Sequence, residues 1–211
     1  MSEQKKPAFQ NRVAYHATLL GGFATLSAAL LIIGNLTTEG PIEERTAEDM
    51  RASLSQVILP ELHDNNLLEN RISVEDGGHT VDVYRATKGG KLTGLAYQVY
   101  GYGYGGEIVL MMGVDTAGQV LGVRVLSHAE TPGLGDKIEK AKSRWIYSFD
   151  GLSLDNTPDA QWAVKKDGGR FDQFSGATIT PRAVVKAVKS GLEFFRIHQA
   201  TLTGADAPVQ E

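Results

Sequence analysis

A run of small and hydroxyl-bearing residues, Asp172-Gln173-Phe174-Ser175-Gly176-Ala177-Thr178-Ile179-Thr180-Pro181, opens the last apolar-periodic segment of the chain. The first turn of a helix presents N–H groups without intrahelical partners at the positive end of the helix dipole, so a helix starting here favours a phosphate. Gly176 and Ala177 keep the loop narrow, which lets a bulky partner approach the Thr178 hydroxyl; Ser175 and Thr180 add donors. Taken alone, residues 175–178 read far more readily as a plain turn with a capping threonine. A second segment, His128-Ala129-Glu130-Thr131-Pro132-Gly133-Leu134-Gly135-Asp136, has the composition of a stiffened loop. Pro132 restricts the backbone, while Gly133 and Gly135 allow unusual dihedrals or close approach to a flat ligand. Glu130 and Thr131 offer hydrogen bonds to a ring's polar edge, and Leu134 a cover for its face. The plainer alternative is a glycine-rich connector between a strand and a helix, with His128 a packing or surface histidine.

Composition excludes several other chemistries. The 211 residues contain no cysteine, so thiol catalysis, disulfides, thiolate zinc sites, iron–sulfur ligation and attached c-type haem all fall away. The formal net charge of −4 supplies no broad cationic surface, and no nucleic-acid partner is expected. Charge is also unevenly spread. Lys5, Lys6 and Arg12 against Glu3 give residues 1–38 a balance of +2, whereas the remaining 18 basic and 24 acidic residues give −6.

Between these zones, residues 13–38 contain no Lys, Arg, Asp or Glu. Twenty-six helical residues reach about 39 Å, more than the roughly 30 Å of a bilayer's hydrocarbon core. Residues 14–36 are therefore predicted to form a transmembrane helix, since only a helix satisfies its backbone in lipid. A cleaved signal peptide has a shorter apolar centre and a small-residue cleavage site, neither of which is found here. Basic residues precede the span and Glu39, Glu43 and Glu44 follow it, which predicts a cytoplasmic amino end (residues 1–13) and an exported remainder. Gly21, Thr25, Ala28 and Ala29 fall near one helical face and suit packing against a second membrane helix.

The positioning elements follow from periodicity. Residues 37–79 read as a helical connector, with Thr46 a cap and Met50, Leu54, Val57 and Ile58 on one face. Strands begin near residue 80, where TVDVYRA alternates at period two, followed by GLAYQVY, the GYGYGG punctuation and the continuous apolar run IVLMMGV. A DTAG turn to QVLGVRVLS predicts a hairpin. DKIEKAKSRWIYSF reads as a helix capped by Asp136, and the sheet is expected to resume at QWAVKK. The last helix is predicted to start at Pro181 with Thr180 as its cap. Residues 80–200 thus form an α+β domain with a mostly antiparallel sheet and flanking helices, followed by a polar tail, residues 201–211.

Together, an amino-terminal span, GYGGEIVLMMGVD, HAETPGLGDKI and VKKDGGRFDQFSGATITPRAVV occur in one order along essentially the whole chain. In this it resembles the membrane-anchored FMN-binding subunits of ion-translocating redox complexes. The likeness is closest to the G subunit of the Rnf electron transport complex, and more distant to the C subunit of the sodium-translocating NADH:quinone reductase. The pairing of ETPGLG with D-x-x-S-G-A-T some forty residues later is the specific part.

The resemblance implies a single-pass flavoprotein subunit of the bacterial inner membrane, with residues 80–200 a periplasmic FMN-binding domain. It implies FMN esterified through its phosphate to Thr178, within a site that includes Ser175, Gly176, Ala177, Glu130, Thr131, Gly133, Leu134 and Gly135. A separate flavin transferase makes that bond from FAD, with AMP leaving, and reads an acidic residue upstream, matched here by Asp172. Thr178 is then a site of modification and no residue of this chain is catalytic by itself; Thr180 is a rival attachment point. Lys165, Lys166, Arg170 and Arg182 are either stabilisers of reduced anionic flavin or solvated charges, the second being favoured. The implied role is electron relay among the complex's other membrane subunits, and no metal site is expected. Two alternatives are an FMN subunit of a sodium-translocating quinone reductase or other exported flavin reductase, and a non-redox membrane-anchored binding or scaffold module. The short chain and the DQFSGATITPRAVV run favour the first reading.

Overall fold

Apolar residues dominate the first helix, α1 (Val13–Val57), and its stretch Val13–Asn35 is a candidate membrane span with mean hydropathy 1.9 and no buried portion. The computed structural model describes residues 13–204, without the side chains of 36–44, so the flanking charges expected to orient the span lie outside the described residues. Within the span Thr18 and Thr25 return their hydroxyl hydrogens to the carbonyls of Ala14 and Gly21. The helix is continuous through Gly40 and Pro41. Thr46 is therefore an interior residue, and the cap expected there does not form.

The chain divides after Glu48 into two compact units. In the second, five strands form an antiparallel meander in sequence order: β1 (Arg71–Asp76), β2 (His79–Lys88), β3 (Lys91–Tyr102), β4 (Glu107–Asp115) and β5 (Val120–Ser127). Periodicity gives no sign of β1 and assigns residues 71–76 to the connector. Its only fully buried residue is Val74, with Ile72 partly buried against the same core, and two apolar positions in a six-residue edge strand leave little alternation to detect.

Both faces of the sheet are covered, which explains the unbroken apolar run of β4. Ile108, Leu110, Met112 and Val114 face one core, together with α2 (Ile179–Thr203). Met111 faces a second core with Leu54, Val57 and Ile58. Burying a Leu, Ile or Met side chain contributes about 1.5–3 kcal/mol, so both layers matter to stability. Tyr97 fixes α2 to the sheet by donating its hydroxyl hydrogen to the Gly191 carbonyl at 2.8 Å, and burial pushes its phenol pKa well up.

Between β5 and α2 the helix expected from Asp136 does not form. Two short 3-10 turns, Gly135–Ile138 and Trp145–Phe149, stand in its place. Ser143 explains the break: its hydroxyl donates to the Lys137 carbonyl at 2.8 Å and accepts the Trp145 N–H at 3.0 Å, competing with a helical ladder. Asp136 is buried rather than exposed at a helix mouth. Likewise QWAVKK adds no strand to the sheet. Val164 makes one isolated bridge to Phe171, and 3-10 turns flank it. The final helix begins two residues earlier than expected and continues to Thr203, with Leu202 buried and Gly204 as its left-handed end.

Candidate functional site

Three loops meet at the amino end of α2. The first is the hairpin tip joining β3 to β4, where the Gly103 N–H donates to the Gly106 carbonyl at 2.8 Å. The second follows β5: the Thr131 carbonyl accepts from the N–H groups of Leu134 and Gly135, both at 3.1 Å, with Gly133 at φ +78. Pro at the second position and a positive-φ Gly at the third are what such a turn requires. The third is a turn in which the Ala177 N–H donates to the Phe174 carbonyl at 3.1 Å and Gly176 takes φ +80. Thr178 follows, immediately before α2.

A cleft of about 630 Å³ opens between these loops, lined by Tyr104, Glu130, Thr131, Leu134, Gly135, Gly176, Ala177, Thr178 and Ile179. That volume falls within the usual range for small-molecule and cofactor sites. Eight of the nine lining residues belong to the two segments singled out by composition, and seven of those eight are residues the sequence assigns to the site. Gly133 shapes the turn behind the cleft and Ser175 is exposed beside it. Tyr104 and Ile179, 75% and 49% exposed, were not anticipated. Tyr104 was legible as an aromatic between glycines at a loop tip; Ile179 carried no signal of its own.

The two threonines differ sharply. Thr178 is half-buried, lines the cleft and makes no capping hydrogen bond through its side chain. Thr180, expected as the helix cap, is fully buried in the first turn, and its hydroxyl donates to Glu130 Oε2. Pro181 is the third helical residue, not the first, and is tolerated because first-turn N–H groups have no intrahelical acceptor.

Glu130, expected to meet a ring edge, uses both carboxylate oxygens inside the fold. Oε2 accepts from Thr180 and Oε1 accepts the Gly105 N–H at 2.9 Å. Its own N–H donates to His128 Nδ1 at 3.0 Å, so the imidazole hydrogen sits on Nε2 and points to Glu139 Oε1 at 2.9 Å. His128 is thus a structural brace. Leu134, 42% exposed, lies over Gly176: a Cβ added at 176 would stand 3.4 Å from Leu134 Cδ2.

Asp172 is held from two sides. Its carbonyl accepts the Trp145 indole N–H at 2.7 Å, and its carboxylate, 71% exposed, meets Lys165 Nζ at 2.6 Å. The Trp145 ring packs on Phe149 and Phe174, with centroids 5.4 and 5.2 Å apart. None of the four cations considered for flavin stabilisation lines the cleft. Arg182 makes two 2.6 Å bonds to Asp167, which hold that carboxyl below the ordinary range and raise the guanidinium. Lys166 and Arg170 are exposed.

Residues 103–193 match the family described as FMN-binding domain, and that span includes every residue of the cleft. The chain is 51% identical over 187 residues to the G subunit of the ion-translocating oxidoreductase complex of Stutzerimonas stutzeri, covering 88% of this chain and 82% of the relative. It is 44% identical over 201 residues to the protein of that description from Shewanella loihica, covering 92% and 95%. The fold is similar to the crystal structure of the C subunit of the Na(+)-translocating NADH-quinone reductase of Parabacteroides distasonis. That likeness has a TM-score of 0.51 at 20% identity, over 74% of this chain and 94% of the other.

Proposed function

The chain belongs to the family of G subunits of ion-translocating oxidoreductase complexes, and from that membership we propose that it is the complex's membrane-anchored electron relay, carrying FMN as a phosphoester on Thr178. The observation that carries this reading is the position of Thr178: a cleft-lining hydroxyl, uncommitted to capping, immediately before the first turn of a 25-residue helix. The residues around it fit the group. First-turn N–H groups and the helix dipole favour the phosphate, Gly176 lets the chain turn away from it, and Thr131, Leu134 and Tyr104 wall a space of cofactor size.

Attachment requires a separate transferase acting on FAD. The Thr178 oxygen forms the bond to the FMN phosphorus, the bond from that phosphorus to AMP breaks, and the hydroxyl proton passes to a base on the transferase. Asp172, exposed and steadied through its backbone by Trp145, is the feature that enzyme reads. Bound FMN supplies reversible electron acceptance, and the protein contributes its placement and surroundings. Leu134 and Tyr104 limit water at the cleft, and Glu130 keeps its walls together. Electrons pass between this site and centres in the other subunits of the complex.

The span Val13–Asn35 keeps the chain at the bacterial inner membrane. Lys5, Lys6 and Arg12 hold the amino end in the cytoplasm, which places the flavin domain in the periplasm. There a covalent tether prevents loss of a nucleotide that cannot be replaced from the surrounding fluid. Full-length protein produced in membranes with the transferase should show an in-gel fluorescent band and one FMN increment in intact mass. Both signals should vanish in Thr178→Ala while the band persists on staining. A wild-type Thr178 peptide found bare would end this reading.

A further inference from the structure

Glu130 has an arrangement that a cofactor contact alone does not explain. The side chain is 5% exposed, yet it faces two donors from distant parts of the chain, the Gly105 N–H and the Thr180 hydroxyl. The backbone leaves room for this and nothing more. A Cβ added at Gly135 would lie 2.6 Å from Glu130 Oε2 and 2.8 Å from Thr180 Oγ1. One at Gly103 would collide with Glu130 Oε1, and one at Gly105 with the Ala129 carbonyl. His128 closes the set by accepting the Glu130 N–H.

Resting on the attachment of FMN at Thr178, we propose that Glu130 is a positioning residue that presents Thr178 to the transferase by gripping Thr180. At 3.6 residues per turn, positions two apart point to nearly opposite sides of a helix. Binding the Thr180 hydroxyl inward therefore fixes the rotation of the first turn and directs residue 178 at the cleft. The same bond removes the rival: Thr180 is fully buried with its hydroxyl engaged, so no FAD phosphate reaches it. Glu130 thereby links the hairpin tip, the loop after β5 and the start of α2.

The test is a double-mutant cycle on the full-length chain, produced in membranes with the transferase and FAD. The readout is the rate of FMN appearance on the residue-178 peptide, alongside thermal melting of each variant. Glu130→Ala should slow attachment at least tenfold, and Thr180→Val comparably. The double variant should be no slower than the worse single one, because both remove one interaction. Glu130→Gln retains the shape and an acceptor oxygen and should restore most of the rate. Multiplicative slowing in the double variant would overturn the proposal. So would a Glu130→Gln protein that melts like wild type yet is modified as slowly as Glu130→Ala. If wild type is modified at Thr178 and Glu130→Ala is equally fast, the positioning role alone fails; if wild type is bare at Thr178, the parent reading fails.

Discussion

Thr178 and Thr180 share a residue type and a helix turn, but one borders a cleft and the other is enclosed. Chemistry at this site therefore depends on direction more than on the inventory of hydroxyls. Gly176 sets that direction, since its φ of +80 is a conformation that β-branched residues avoid. Gly176→Val should cost about 1–3 kcal/mol of local strain and bring the new side chain against Leu134. Urea unfolding should show the lost stability, and the fluorescent yield per chain should fall with it. The nearby cations behave as solvated partners of acids. Arg182 and Lys165 meet Asp167 and Asp172, and neither cation lines the cleft.

At the scale of elements, the segment between β5 and α2 has almost no regular structure beyond short 3-10 turns, yet it carries seven of the nine cleft-lining residues as well as Asp172. Its rigidity comes from aromatic packing: Trp145 on Phe149 and Phe174, and Phe149 stacked on Phe171 with centroids 4.6 Å apart. Such pairs contribute roughly 0.5–1.5 kcal/mol beyond area burial. Trp145→Ala should lower stability by about 3 kcal/mol and slow flavin attachment, because Asp172 loses the donor on its carbonyl. Trp145→Phe should recover much of the stability but less of the attachment rate. Comparing urea midpoints with in-gel fluorescence separates the two effects.

For the molecule as a whole, the five-stranded sheet separates two cores with different duties. One, under α2, backs the cleft; the other is built on Leu54, Val57 and Ile58. Leu54 is fully buried in the second, so Leu54→Ala should cost about 2–5 kcal/mol. Because none of its neighbours lines the cleft, the absorption maximum of the attached flavin should stay unchanged while the melting temperature drops. A coincident spectral shift would show that the sheet transmits strain between its faces. The candidate membrane span lies in the other compact unit. Its 23 residues need only be long and apolar, and the small residues near Gly21 and Thr25 offer a face for a neighbouring helix.

What was legible in the sequence was local. The candidate span follows from an uncharged run, strands β2 to β5 from apolar patterning and turn residues, and the narrow turn before α2 from Ser175-Gly176-Ala177-Thr178. Each depends on residues within a few positions of one another. The break after Asp136 was missed because a serine side chain competed with a helix that periodicity alone favoured. The roles of Glu130 and Thr180 were beyond such reasoning. Glu130 meets Gly105 across 25 positions and Thr180 across 50, and only the folded sheet brings those loops to one corner. Hydroxyl chemistry was written in residue types, but which hydroxyl faces outward was decided by a buried carboxylate far away in the chain.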